Sequence, residues 1–287
     1  MILENFAEGM KKKIKDKNEK FVHRQKRFFS NFDIKRLYVS KHILIDGTYV
    51  FPQGFTQTII FLYYDYITFK FIPAIFILIN NKIQIGYQHA FQDINEYFLN
   101  YKNNTKENLQ WETFTTDFEK AIINAFNVIF NNTNNELQIK HIGCYFHFLK
   151  NCRQKLQNEG YTAQKFNKEY TLLMDVVSQL PFQYNIHKNV KKKIKEFFHD
   201  NTKFKFFKDY LIDQWVNFFV NKSLSLNNIT IKFRTNNALE NYNRKFKEMV
   251  GMEAGMPEIL YINNIIEDIK EHIEIIRNYE DKELLKI

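Results

Sequence analysis

Three carboxylates in unlike settings, and one Cys-x-x-His pair, are the side chains of this 287-residue chain best suited to chemistry. Asp46 interrupts the run His-Ile-Leu-Ile-Asp-Gly-Thr-Tyr-Val, residues 42–50. Strand periodicity puts it on the face of Leu44 and Thr48, where a carboxylate among apolar neighbours is costly unless a cation or donors meet it. Asp-Gly between alternating apolar residues is also a hairpin-turn signal. Asp117 sits at a strand-to-helix junction. There Thr116 and Glu119 offer a Thr-x-x-Glu capping box and Asp117 suits the positive helix end, so a helix start alone accounts for it. Glu240 follows Asn237, which can cap a helix and leave the glutamate exposed in its first turn. Cys144 and His147 are half of a tetrahedral zinc site. His141, His89 and Cys152 do not complete it, so zinc is not expected, and a buried thiol beside a hydrogen-bonded histidine is the alternative. Arg234, Arg244 and Lys245 lie near Glu240 in sequence and are candidates for phosphate contacts, or a solvated helix face.

The elements that must position these groups follow from hydrophobic period. His42–Phe51, Phe55–Tyr64 and Thr68–Asn80 are rich in Ile, Phe, Tyr, Val and Thr and are separated by short turn signals, which predicts an antiparallel meander. Phe71–Ile79 is nearly all apolar, as in a strand covered on both faces. Over 86–100 the period becomes helical, with Tyr87, Phe91, Ile94 and Phe98 on one side. A polar loop (101–110), a strand (Trp111–Thr115), a helix (Thr116–Phe130, with Ile122, Phe126 and Ile129 inward), a strand (Leu137–Cys144) and a helix (Phe146–Leu156) follow. The fold class is α/β, three antiparallel strands and then alternating helices and strands, the order of a ribonuclease H-like core. Residues 161–225 read as all-helical, through Lys165–Gln179, Val190–His199 and Phe206–Phe219. Ile229–Phe233 is extended, Asn237–Met249 helical, and Pro257–Glu283 an amphipathic helix with Ile259, Ile262, Ile266, Ile269, Ile273 and Ile276 on one stripe. That stripe is core, or a partner face.

Composition bounds the partners. Lys and Arg total 41 against 32 Asp and Glu, a net charge of +9 that suits a polyanion. Only seven of the basic residues are Arg, and the wealth of Lys, Asn, Ile, Phe and Tyr also follows from AT-rich codons, so the charge permits nucleic acid without identifying it. Two cysteines make no disulfide framework, which fits a reducing interior, nuclear or cytoplasmic. Met1–Lys13 lacks the apolar run of a secretory signal. The apolar stretch 58–79 is broken by Asp65 and Lys70, and its clean part is too short for a membrane helix.

The order of the motifs carries a resemblance. Asp46-Gly47-Thr48-Tyr49 resembles the first-aspartate motif of Mutator-like (MULE) transposases, and Thr116-Asp117-Phe118-Glu119-Lys120-Ala121 their second. Gly143-Cys144-Tyr145-Phe146-His147-Phe148 is similar to the Cys-x-x-His motif that follows, and Arg234 to Asn243 to the segment bearing the final glutamate. The likeness covers about residues 35–250. It implies a ribonuclease H-like core interrupted by a helical insertion between Asp117 and Glu240. It divides the chain into a basic, helical lead-in (1–40), the first part of the core (41–156), the insertion (157–228) and closing helices (229–287). It further implies a DDE-type transposase acting on DNA, both element ends and target. Asp46 would bridge two Mg²⁺ or Mn²⁺ ions ~3.5–4 Å apart, with Asp117 and Glu240 flanking. Water would hydrolyse the element end and the freed 3′-hydroxyl would attack the target, in a homo-oligomer and away from membranes. Cys144 and His147 would be structural. The N-terminal zinc-binding module and C-terminal zinc knuckle of the family are not seen. The alternative is a domesticated, catalytically inactive derivative serving as a DNA-binding or regulatory protein.

Overall fold

The computed structural model describes residues 25–131, 138–165, 167–182, 191–200, 204–216, 218, 229–251 and 256–284. The chain separates into two compact units, one running up to Ile139 and resuming at Asn237, the other spanning Lys140–Asn236. The second unit is wider than the insertion expected at 157–228.

The first unit holds five of the six described strands: β1 (Gln25–Phe28), β2 (His42–Thr48), β3 (Gln57–Asp65), β4 (Lys70–Ile79) and β5 (Thr113–Thr116). They lie in the order β1-β4-β3-β2-β5. The β2-β3-β4 meander and the β1–β4 pair are antiparallel, and β5 runs parallel to β2. The sheet is therefore mixed, and the chain is α/β. Helices α1 (Asn31–Val39), α2 (Gln84–Thr105) and α3 (Lys120–Phe126, wound on as a π-turn to Asn131) join these strands. Asn237–Val250 forms α8 and Glu258–Leu284 forms α9, both in this unit.

Side-chain alternation along β2 and β3 builds two cores. Ile43, Ile45, Ile59 and Phe61 join Tyr87, Phe91, Phe126 and Phe130 of the intervening helices in one. Leu44, Ile60, Leu62 and Phe76 join Leu239, Phe246 and Val250 of α8 and Tyr261, Ile265 and Ile269 of α9 in the other. The meander is thus buried on both faces, as the unbroken apolar run in β4 implies.

Several elements differ from the sequence expectation. Residues 1–24 of the lead-in lie outside the described residues. The rest of it begins with β1, a strand where a helix was expected. Its sequence, Gln-Lys-Arg-Phe, hides this because cations are tolerated on an edge strand. Arg27 pairs with Asp93 at 3.0 Å, and the Gln25 amide donates to the same carboxylate at 2.6 Å. Helix α2 consumes half of the expected 101–110 loop. Helix α3 starts four residues later than Thr116, and Leu137 lies outside the described residues. Ile229–Phe233, β-branched and read as extended, turns into a 3₁₀ helix at Ile231–Phe233, closed by Phe233 N–H to Thr230 O at 2.9 Å. On α9 the buried apolar side chains among the described residues are Tyr261, Ile265, Ile269 and Ile276, while Ile259 is 73% exposed. Tyr261 takes an inward place because its hydroxyl donates to Val50 O at 2.8 Å and meets Thr58, which leaves Ile259 outside while Ile269 and Ile276 of the stripe stay buried.

The second unit, taken by itself, opens with β6 (Lys140–Gly143) and α4 (Tyr145–Asn158). It continues through α5 (Asn167–Gln179), α6 (Lys191–Asp200) and α7 (Lys205–Tyr210), the last prolonged as a π-turn to Val216. Phe148, Leu156, Leu173, Val177, Phe207 and Trp215 are buried in it. Phe148 meets Trp215 edge-on at 4.9 Å.

The shifted α9 face is testable by urea unfolding. Ile269→Ala, which empties a buried site, is expected to cost ~2–5 kcal/mol, and Ile259→Ala to stay within about 0.5 kcal/mol. Equal costs would restore the isoleucine stripe as the core face.

Candidate acidic site

Asp46 lies inside β2, opposite Ile60 of β3. The hairpin reading of Asp46-Gly47 is therefore wrong: the chain runs straight through it. The glycine has another reason. A Cβ on Gly47 would fall 1.5 Å from Gln57 Nε2, so the Gln57 side chain occupies the place a larger residue would need. Gly47 N–H also donates to Asp46 Oδ1 at 2.8 Å.

Parallel pairing sets the second carboxylate. Leu44 pairs with Thr115 across β2 and β5, and two further residues along that register bring Asp46 level with Asp117, just past the end of β5. Adjacent strands lie ~4.8 Å apart, and the carboxyl ends of parallel strands are where open α/β sheets receive ligands. At Asp117 the backbone turns into α3, with Glu119 N–H donating to Asp117 Oδ1 at 2.9 Å. The capping box does not form. Glu119 stands before the first helical residue without capping it through its side chain, and the Thr116 hydroxyl donates to Asp117 O instead.

Glu119 is the acidic residue that sequence reasoning passed over as a cap. Its Oε1 accepts from the hydroxyl of the buried Tyr87 at 2.6 Å, and the same hydroxyl lies 2.7 Å from Gln57 Oε1. A chain of contacts thus runs from Gly47 through Gln57 and Tyr87 to Glu119, tying β2, β3 and α2 to the start of α3. Only the Asp-x-Glu spacing hinted at it.

Glu240 is the fourth residue of α8, whose first helical residue is Asn237 itself rather than its cap. It is half-buried, not exposed, because its neighbour Leu239 is fully buried in the sheet-facing core and draws the helix down.

These groups share one field. Burial pushes the Asp46 carboxyl up to about 8, helped by the charge of Asp117 and then by Glu240 and Glu119, against the opposing Gly47 N–H. Burial also raises Glu119, with Asp117 adding to the effect and the Tyr87 hydrogen bond and Lys82 working against it. The charges of Asp117 and Glu240 thus both act on Asp46 despite their separation in sequence. Among the described residues, no group of three His, Cys, Asp or Glu side chains is drawn up to hold a metal ion.

The other candidates fall elsewhere. Cys144 and His147 belong to the second unit. The Cys144 thiol donates to Asn236 Oδ1 at 2.8 Å, and Tyr145 N–H donates to Arg234 O at 2.9 Å. The Gly-Cys-Tyr-Phe-His segment is thereby fastened to Arg234 and Asn236 within that unit. His147 is half-buried on α4. Arg234 donates through Nε to Ile229 O at 2.8 Å, and its guanidinium lies 5.1 Å from the centre of the Phe182 ring. Arg244 is exposed and loosely paired with Glu248 at 3.9 Å. Lys245 lines a cavity of about 480 Å³ with Lys70, Tyr242 and His272. Five residues beyond Glu240, it lies on another side of the helix.

Residues 42–151 match the family model described as the MULE transposase domain. The match takes in Asp46, Asp117, Cys144 and His147 and stops short of Glu240. No curated protein matches the chain. Among the described residues, no helix is long and apolar enough to cross a membrane.

The carboxylate field predicts a pH signature. Asp46 titrates near 8 when folded and near 3.8 as a free side chain. Between those values the folded protein keeps a proton that the unfolded chain has released, so this residue's contribution to stability falls as pH rises. In EDTA, Asp46→Asn is expected to unfold at a higher urea midpoint than wild type at about pH 8 and to converge with it near pH 4. Parallel curves for the two proteins across this range would remove the shared field.

Proposed function

We propose that the MULE transposase domain of this chain is the first part of a ribonuclease H-like core, that Glu240 completes its acidic site, and that the site cuts and joins DNA strands in a divalent-metal-dependent reaction. The observation that carries the reading is the raised carboxyl of Asp46, which feels Asp117 and Glu240 together. A buried carboxylate surrounded by like charge is stabilised by positive charge, and hard carboxylate oxygens suit Mg²⁺ or Mn²⁺.

Asp46, Asp117 and Glu240 would hold the ions. Such ions, when bound, polarise the attacking oxygen and offset the charge of the leaving one. The remaining work belongs to the protein. The raised Asp46 carboxyl would favour a proton in the free site and would give it up on meeting positive charge, which would couple ion binding to proton release. The Gln57–Tyr87–Glu119 chain fixes the start of α3 and with it Asp117. Leu239, Phe246 and Val250 dock α8, which carries Glu240, on the sheet. DNA is the partner on this reading, and an intracellular setting follows from it.

A second reading, a DNA-binding or regulatory derivative without catalysis, draws on the absence of a ready-made three-ligand group among the described residues. The two separate in one experiment. Supercoiled DNA incubated with the purified chain and Mn²⁺ or Mg²⁺ is expected to be nicked. Asp46→Asn, Asp117→Asn and Glu240→Gln are each expected to reduce nicking to background, with activity rising with pH as Asp46 deprotonates. Binding without nicking by wild type favours the second reading, and nicking that survives all three substitutions overturns the site.

A further inference from the structure

We infer that Tyr49 and Lys82 form a binding site for a single DNA strand at the border of the acidic site, Tyr49 stacking on an unpaired base and Lys82 holding the neighbouring phosphate. The inference rests on the proposed action on DNA and names the part of the surface that receives the strand.

Tyr49 directly follows β2, three residues beyond Asp46. It is 74% exposed, whereas the apolar side chains of β2 are buried. Its ring is not idle. The Lys82 ammonium lies 3.8 Å from the ring centre, a close cation–π pair. Lys82 in turn acts on Glu119, and Glu119 acts on Asp46, so the ammonium belongs to the border of the acidic group. One side of the ring is occupied by the ammonium, and most of the rest faces solvent.

That combination has a specific chemistry. Carboxylates crowded around Asp46 repel a phosphodiester, and a strand approaching them needs a cation beside the site. Lys82 supplies it by exchanging its attraction to Glu119 for a phosphate oxygen. A base has a π-face whatever its identity, so an exposed tyrosine ring gives a sequence-tolerant platform. The base must be unstacked to reach it, which selects a single strand or a frayed end over intact duplex.

The test is fluorescence anisotropy of a labelled single-stranded oligonucleotide with the full chain in EDTA, where no cleavage occurs. Tyr49→Ala is expected to weaken binding roughly 5- to 100-fold, with Tyr49→Phe near wild type because stacking needs the ring and not the hydroxyl. Lys82→Ala is expected to lower the slope of log affinity against log salt by about 0.7, one phosphate on a single strand. Irradiated oligonucleotide carrying 5-iododeoxyuridine is expected to crosslink at Tyr49, located by mass spectrometry. No binding by wild type, unchanged binding by Tyr49→Ala, or crosslinks confined to other residues overturns the inference. Tyr49-dependent binding without nicking would sink the catalytic reading alone. Nicking with a KM indifferent to both substitutions would sink this one alone.

Discussion

A buried carboxyl that feels the charge of other carboxylates, Asp46 in β2, is the constraint on which the first unit turns. Left alone, carboxylates of one sign move apart or into water. Here the parallel register of β2 and β5 brings Asp46 level with Asp117, and α8 holds Glu240 within reach of Asp46's field. Burying such charge costs several kcal/mol per uncompensated ion. Asp46 avoids most of that cost by keeping its proton.

The rest of the unit resists the repulsion. Apolar packing on both faces of the meander makes β2 hard to displace, with Ile43 and Ile45 gripped on one side and Leu44 on the other. Leu239, Phe246 and Val250 dock α8 on the same sheet. Close approach does the fine positioning. Gln57 lies where a Gly47 side chain would be, and reaches through Tyr87 to Glu119. A larger residue at position 47 would push the Gln57 amide out and free the start of α3.

Much of this was legible in the sequence because hydrophobic period is a strong signal where both faces of an element are buried. The three strands of the meander, α2 with Tyr87, Phe91, Ile94 and Phe98 inward, and α8 were all visible on that ground. The failures share a cause: local signals compete with tertiary ones. Asp46-Gly47 has the letters of a turn, yet the glycine answers to Gln57 from another strand. Thr116 and Glu119 have the spacing of a capping box, yet Glu119 is taken by Tyr87 from another helix. Strand β1 is polar because it lies at an edge, and Ile259 of α9 lost the inward place to Tyr261 because a hydroxyl found a carbonyl. Asp46, Asp117 and Glu240 could be named as candidates from motif order. Their common field depends on a register that no single segment encodes.

Net charge is a poor guide to such a site. The chain carries +9, yet the place where phosphodiester chemistry would happen is acidic and repels phosphate. Diffuse positive charge draws a polyanion to the surface but does not lead it to one edge of one sheet. A cation bound at that edge, between a ring that can hold a base and a carboxylate that can release the cation, would do both. The same burial and like charge that raise Asp46 would then give the proposed site its selectivity. On the proposed reading a negative strand would be admitted only where Lys82 offsets the repulsion, and positive ions would be favoured wherever the carboxylates stand uncompensated.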